Sequence, residues 1–297
     1  MILNEKQLPL RAWRTLTVSV LALLVWDVLV TALYMEDSTH FEGIDIQFTL
    51  FGTMIALFVG FTVNAAYGRW WEARTLWGQV VNSSRSLARQ ALVLVDDRGG
   101  SSGLAEQVVR NQVAYAHVLR TALRGQPLPV EAGRFLDPGT LARVEAATNR
   151  QTAILLESDR LLTRAHRNGL VGELGRLELE RSLVALTDAQ GGLERIKNTP
   201  LPVQYRFLPR FFSRLFCLIL PFAVVEDLGW LTPVGSGLVG LMFLMAVQIG
   251  DQLGNPFADD VYDVPMTAIA RTIEIDLTQM LGGQAPRPVE PVEEVLY

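Results

Sequence analysis

One cysteine, two lysines and three histidines are all that this 297-residue chain holds of those residue types, and each shortage removes a kind of chemistry. Cys217 alone gives no disulfide framework and no thiolate metal cluster, and its apolar surroundings imply a packed side chain. His40, His117 and His166 stand far apart and lack the i, i+4 or cysteine-paired spacing of a zinc site, so surface or interface positions are expected for them. Arginine carries nearly all the positive charge, but it alternates with acids instead of forming a basic patch. With a formal net charge of -5, this argues against nucleic acid as a partner. Charge of either sign is thin: 19% of residues are charged and 49% hydrophobic, more apolar than an ordinary soluble domain, as suits a chain partly inside a membrane.

Ile46 to Tyr67 holds no charged residue and leads without a break into GRWWEAR, residues 68 to 74. At ~1.5 Å per residue this stretch covers a hydrocarbon core of about 30 Å, so it reads as a membrane-crossing helix that continues into a cytosolic one. Thr53, Leu57 and Phe61 lie four apart and form one stripe, with Ala65 further on. Packing against a neighbouring helix is the commoner use of such a stripe, and a pore lining is the other.

Residues 16 to 34 form a first apolar run, too long for a signal-peptide core and followed by no A-x-A cleavage site, so a transmembrane helix is expected. Asp27 near its middle should face a buried polar contact or a wet cavity. Residues 35 to 45 are acidic and free of lysine and arginine, whereas both flanks of the helix pair bear arginine. The positive-inside rule then puts the loop outside and the hairpin ends in the cytoplasm. From Trp70 to Lys197 nothing is apolar enough to span, and the pattern is amphipathic and helical. Trp71, Leu76, Val80, Leu87 and Leu92 share one broad side, as do Val108, Val113, Ala116 and Leu119. Turns fall at 97 to 103, 125 to 129, 137 to 139 and 168 to 172.

NTPLPVQYRFLP, residues 198 to 209, reads as a proline-broken connection. Apolar runs at 211 to 225 and 228 to 249 follow, with Glu226 and Asp227 as an acidic outer loop and Arg206, Arg210 and Arg214 at the inner end. Gly235, Gly237 and Gly240 permit close helix contact. Residues 250 to 265, GDQLGNPFADDVYDVP, gather carboxylate and amide oxygens of the kind calcium prefers, without EF-hand spacing; the plainer reading is an acidic loop with Asp263 capping a helix that starts near Pro265. The domain plan is residues 1–69 for the N-terminal segment and two transmembrane helices, 70–199 for a cytosolic helical region, 200–250 for two more transmembrane helices, 251–281 for the acidic loop and a cytosolic helix, and 282–297 for a disordered tail.

GFTVNAAYGRWWEAR with its RWWE signature, NTPLP at 198 to 202 and NPFADDVYDVP at 255 to 265 together resemble the bestrophin family of ion channels, over nearly the whole chain. The resemblance implies an all-α membrane protein, four transmembrane helices plus a cytosolic helical bundle, assembled as a homopentamer around one axial pore in a bacterial inner membrane. It implies a hydrophobic neck at Thr53, Leu57 and Phe61, where Thr53 replaces a usual bulky aliphatic, and a cytosolic aperture at Leu201. It also implies a possible Ca2+ clasp at Gln252, Asn255, Asp260 and Asp263, with Ala258 where the family's usual glycine stands.

The expected activity is passive flow of monovalent ions, with no catalysis and no required cofactor. Acidic outer residues favour cations; a chloride-selective, calcium-gated channel of the same family is the alternative. Two rivals of another class are a membrane-bound hydrolase using Asp259, Asp260 and Asp263 for a divalent ion and a secondary transporter using Asp27.

Overall fold

The structure, a computed structural model, describes residues 10–36, 48–96, 103–291 and 296. The acidic loop expected at 35 to 45 falls beyond Glu36 outside these residues, as do Lys6, His40 and nearly all of the turn at 97 to 103. Among the described residues every regular element is helical. They are α1 (Leu10–Glu36), α2 (Phe48–Leu94), α3 (Leu104–Arg124), α4 (Val130–Phe135), α5 (Pro138–Ala146), α6 (Arg150–Arg167), α7 (Glu173–Asn198), α8 (Val203–Leu228), α9 (Thr232–Leu253) and α10 (Met266–Met280). They divide into two compact units, an apolar unit of residues 4–70 and 200–256 and a bundle unit of residues 71–199 and those from Phe257 onward. The boundary at Trp70 falls inside α2, which is one unbroken helix of 47 residues.

The apolar unit is built from α1, the first half of α2, α8 and α9. Among the described residues three stretches are long and apolar enough to cross a membrane, Leu16–Glu36, Phe48–Leu94 and Val203–Leu253. The third folds as α8 and α9, joined by a short 3-10 turn at Gly229–Leu231. Glu226 and Asp227, expected in the outer loop, belong instead to the last turn of α8, and Gly229 makes the bend at φ 52°. The third helix also begins earlier than its apolar run implies. Val203 follows directly on Pro202, and Pro209 and Pro221 lie inside α8. An interior proline removes a backbone donor and crowds the carbonyl four residues back. Beside the carbonyl that Pro221 strips of its donor, the Trp26 indole donates to the Leu218 carbonyl at 2.9 Å and its ring meets Phe222 edge to face.

Small residues let these helices close up. A methyl group on Gly237 would lie 2.6 Å from Leu24, and one on Gly235 2.7 Å from Leu228. Ile55, Val59, Phe216 and Leu220 form the buried cluster, with Phe243 edge-on to Phe216. Asp27 is 1% exposed, lies against Ser236, and keeps one carboxylate oxygen without a partner. Cys217 is buried, as its surroundings imply.

The bundle unit is centred on α3, whose residues 111 to 119 are all buried. Polar side chains on its different faces each reach a different helix. Asn111 donates to Ser158 of α6, Gln112 to Ser84 of α2, Tyr115 to the Leu186 carbonyl of α7, and His117 to Glu274 of α10. His117 is therefore a core residue, not the surface or interface histidine expected from the sequence; the carboxylate partner 157 residues away is what makes its burial tolerable. On α2 the buried seam is Ala73, Trp77, Val80, Ser84, Leu87 and Ala91, with alternating steps of four and three. Trp71 and Leu92, assigned to that side by their hydrophobicity, are exposed, and Trp77 takes the central place. Beyond Gly282 the described residues carry no helix or strand.

Candidate ion pathway and acidic loop

Thr53, Leu57 and Phe61 share one bare face of α2. Leu57 is 52% and Phe61 60% exposed, and Leu50, Met54 and Phe58 continue the apolar surface, while Ile55 and Val59 on the opposite side make the buried contacts. One helix thus divides its apolar residues between a packed side and a side left open among the described residues. Thr53 donates its hydroxyl proton to the Thr49 carbonyl at 2.7 Å, and Thr62 donates to the Phe58 carbonyl. Back-bonding of this kind commits the Thr53 donor to its own helix, so the position is less polar than its residue type implies.

At the end of this apolar half, the RWWE residues act as a clamp. Arg69 donates to the Gly254 carbonyl at 3.3 Å, holding the C-terminal end of α9 at the start of the acidic loop. Trp70 stacks on Tyr67 at 6.2 Å between ring centres. In the bundle unit Glu72 pairs with Arg195. The role of Arg69 went unread in the sequence, because nothing in the spacing links it to a residue 185 positions away. Leu201, half-buried, sits beside Gly254, where a methyl group would lie 3.7 Å from its Cδ1. Gln252 and Asn255 fall in the apolar unit, Asp260 and Asp263 in the bundle unit.

The acidic loop is held from within. The Asp263 carboxylate accepts from the Asp260 backbone N–H at 2.7 Å, and Asp260 accepts from the Val261 N–H. Asp263 therefore does not cap α10, whose N-terminus carries no side-chain cap; its side chain turns back into the loop because the backbone there needs an acceptor. Burial and the neighbouring Asp260 charge push the Asp263 carboxyl up to about 6 against the pull of its backbone hydrogen bonds. Asp259 takes a left-handed conformation, φ 73°, and pairs with the buried Arg124, which also donates to Thr267. Ala258 keeps a negative φ, so the missing glycine places no demand on the loop. Among the described residues no group of three or more carboxylates, histidines or cysteines converges as a metal cluster. With Asp259 turned to Arg124, the three-aspartate site of a hydrolase is not assembled.

Apolar helices closed by glycine contacts, with one helix running on into a polar bundle, define an all-helical integral membrane protein. The chain belongs to the bestrophin family: the family described as Bacterial/Fungal Bestrophin protein matches residues 7–279. It is 38% identical over 233 residues to the voltage-dependent anion channel-forming protein YneE of Salmonella typhi, covering 78% of this chain and 75% of that one. It is 31% identical over 250 residues to a voltage-dependent anion channel-forming protein of Mesorhizobium japonicum, covering 84% and 79%. A crystal structure of a bacterial bestrophin homologue from Klebsiella pneumoniae superposes with a TM-score of 0.83 at 29% identity, over 89% of this chain and 98% of that one. The relatives' names speak of channels and not of catalysis, and of anions where the sequence reading favoured cations.

Proposed function

We propose that the protein is a homo-oligomeric channel that passes small monovalent anions, with the bare face of α2 lining an axial pore between copies. The observation that carries this reading is the apolar surface of Thr53, Leu57 and Phe61, exposed among the described residues of a chain whose relatives are named as channel-forming. Anions replace cations as the permeant class because those names support them. The cation expectation rested on outer acids, of which Glu226 and Asp227 are exposed near the end of α8. A pentamer in the inner membrane with both termini in the cytoplasm completes the proposal. So does an aperture at Leu201.

Planar-bilayer recording in asymmetric potassium chloride reads the selectivity directly. A reversal potential near that of chloride supports the anion reading, and one near that of potassium overturns it. In the neck, Thr53→Ile is expected to lower the unitary conductance and Leu57→Ala to raise it, because ring width and wetting both control a hydrophobic constriction. Unchanged currents in both variants would remove α2 from the pore. Calcium is proposed at Gln252, Asn255, Asp260 and Asp263, whose carboxylate and amide oxygens are of the kind calcium prefers. Calcium titration by calorimetry, lost in Asp260→Asn, tests it.

A further inference from the structure

A cavity of about 400 Å³ with a mixed polar and apolar lining opens in the apolar unit between α1, α8 and α9, and the polar part of its wall is Ser19, Arg210, Ser213, Arg214, Gln248 and Asp251. Its charges do not cancel. Arg210 takes both oxygens of Asp251, through Nε at 2.7 Å and Nη2 at 2.6 Å, so that pair is neutral and closed. Arg214, one turn further along α8, makes no ion pair or hydrogen bond among the described residues. Ser213 beside it is fully buried, and its hydroxyl has no hydrogen-bond partner among the described residues. The cavity therefore offers one spare guanidinium and one spare hydroxyl, the donor set of an oxyanion.

Three apolar runs begin or end at this cavity. The run of α1 starts at Leu16, the charge-free run of α8 starts at Leu215 just after Arg214, and that of α9 ends at Gly250 just before Asp251. This is the depth at which a membrane changes from hydrocarbon to headgroup. Arg214 also lies on an outward face of α8 with Phe207, Phe211 and Leu218, each more than 40% exposed, and the other arginine of that face, Arg210, is taken by Asp251. A cation in an apolar face at headgroup depth finds its counter-charge in lipid phosphate.

We propose that this cavity binds the phosphate of a membrane phospholipid, with Arg214 and Ser213 as donors and the acyl chain lying along Leu218. The inference does not depend on which ion the protein conducts, or on whether it conducts one. Native mass spectrometry of the full-length protein in neutral detergent, titrated with phosphatidylglycerol, tests it. Arg214→Gln is expected to weaken lipid retention about tenfold and Ser213→Ala about threefold, while Arg214→Lys keeps part of it and Arg206→Gln, outside the cavity, stays within about twofold. Retention at the wild-type level in both Arg214→Gln and Ser213→Ala overturns the proposal. An equal loss in Arg206→Gln also does, because it would mean that general basic charge holds the lipid. Inorganic phosphate identifies the source. If it does not displace the lipid, the site is a headgroup site, as proposed; if it does so through the same two residues, the donor set stands and the occupant is a soluble phosphate instead.

Discussion

The two halves of α2 are one helix with one geometry, yet they are used in opposite ways. From Trp71 on, the helix buries a seam of every third or fourth residue, with Trp77, Val80 and Leu87 fully enclosed, and polar partners on α3 and α10 meet it. Before Trp70 it buries Ile55 and Val59 and leaves its other apolar face open. In water the second arrangement would expose a costly surface. Inside a membrane assembly that cost falls away, because in the proposed channel this face meets the same face of other copies around a narrow neck, and the helices gain instead from close glycine contacts. The packing of the bundle unit is therefore complete within one chain, whereas that of the apolar half of α2 is left for other copies.

Substitutions can sharpen or break that contrast. Trp77→Ala should have the largest effect, because it empties a fully enclosed site in the bundle unit; a loss of about 3 to 5 kcal/mol is expected in thermal or denaturant unfolding of the solubilised protein. Leu57→Ala, a comparable truncation on the bare face, should change stability far less, by about 1 kcal/mol or under. Equal losses at the two sites would mean that the open face is packed in the assembled protein.

Gly237→Leu comes next, because the new side chain would occupy the space of Leu24. About 1 to 3 kcal/mol of destabilisation is expected, with Gly191→Leu, where the space is open, as the comparison.

The buried pair of His117 and Glu274, 3.0 Å apart, gives the bundle unit a pH dependence. Burial opposes ionisation of Glu274, but the hydrogen bond from His117 and the charges of His117, Arg271 and Arg134 prevail, and the carboxyl is held below its ordinary value of 4.5. A lowered carboxyl stabilises the fold above its unfolded pKa, and that contribution fades as pH falls through the folded value. The stability gap between the wild type and Glu274→Gln should be flat near neutrality and close below about pH 4.5. A gap that stayed fully open well below pH 4.5 would contradict the lowered carboxyl. The smallest effect belongs to Asp276→Asn, which breaks a solvent-facing pair with Arg85 and should cost under about 0.5 kcal/mol.

Much of this was legible in the chain. Freedom from charge over 46 to 67 sets the length of a membrane helix, and the unbroken pattern after it implies the long α2, because helix formation is local. The stripe of Thr53, Leu57 and Phe61 follows from a period of four, and RWWE, NTPLP and NPFADDVYDVP carried the family. What the chain alone could not supply depends on distant partners. Trp71 and Leu92 were placed on the wrong side, and Trp77 was passed over, because hydrophobicity does not say which side a helix turns to its neighbours. Asp263 looked like a helix cap because capping is a local rule, but the acceptor was needed within the loop. The hub role of α3 was invisible, since Asn111, Gln112, Tyr115 and His117 break an apolar pattern for the sake of residues on four other helices.

By itself, then, the sequence determined which segments are apolar enough to cross a membrane, and the family, since those follow from local composition and short motifs. Only the tertiary structure decided which face of α2 stays bare, that Arg69 clamps Gly254, that Asp259 turns to Arg124, and that Arg214 and Ser213 keep unused donors among the described residues. Burial and pairing are properties of three-dimensional neighbours, and those neighbours lie tens to hundreds of residues away along the chain.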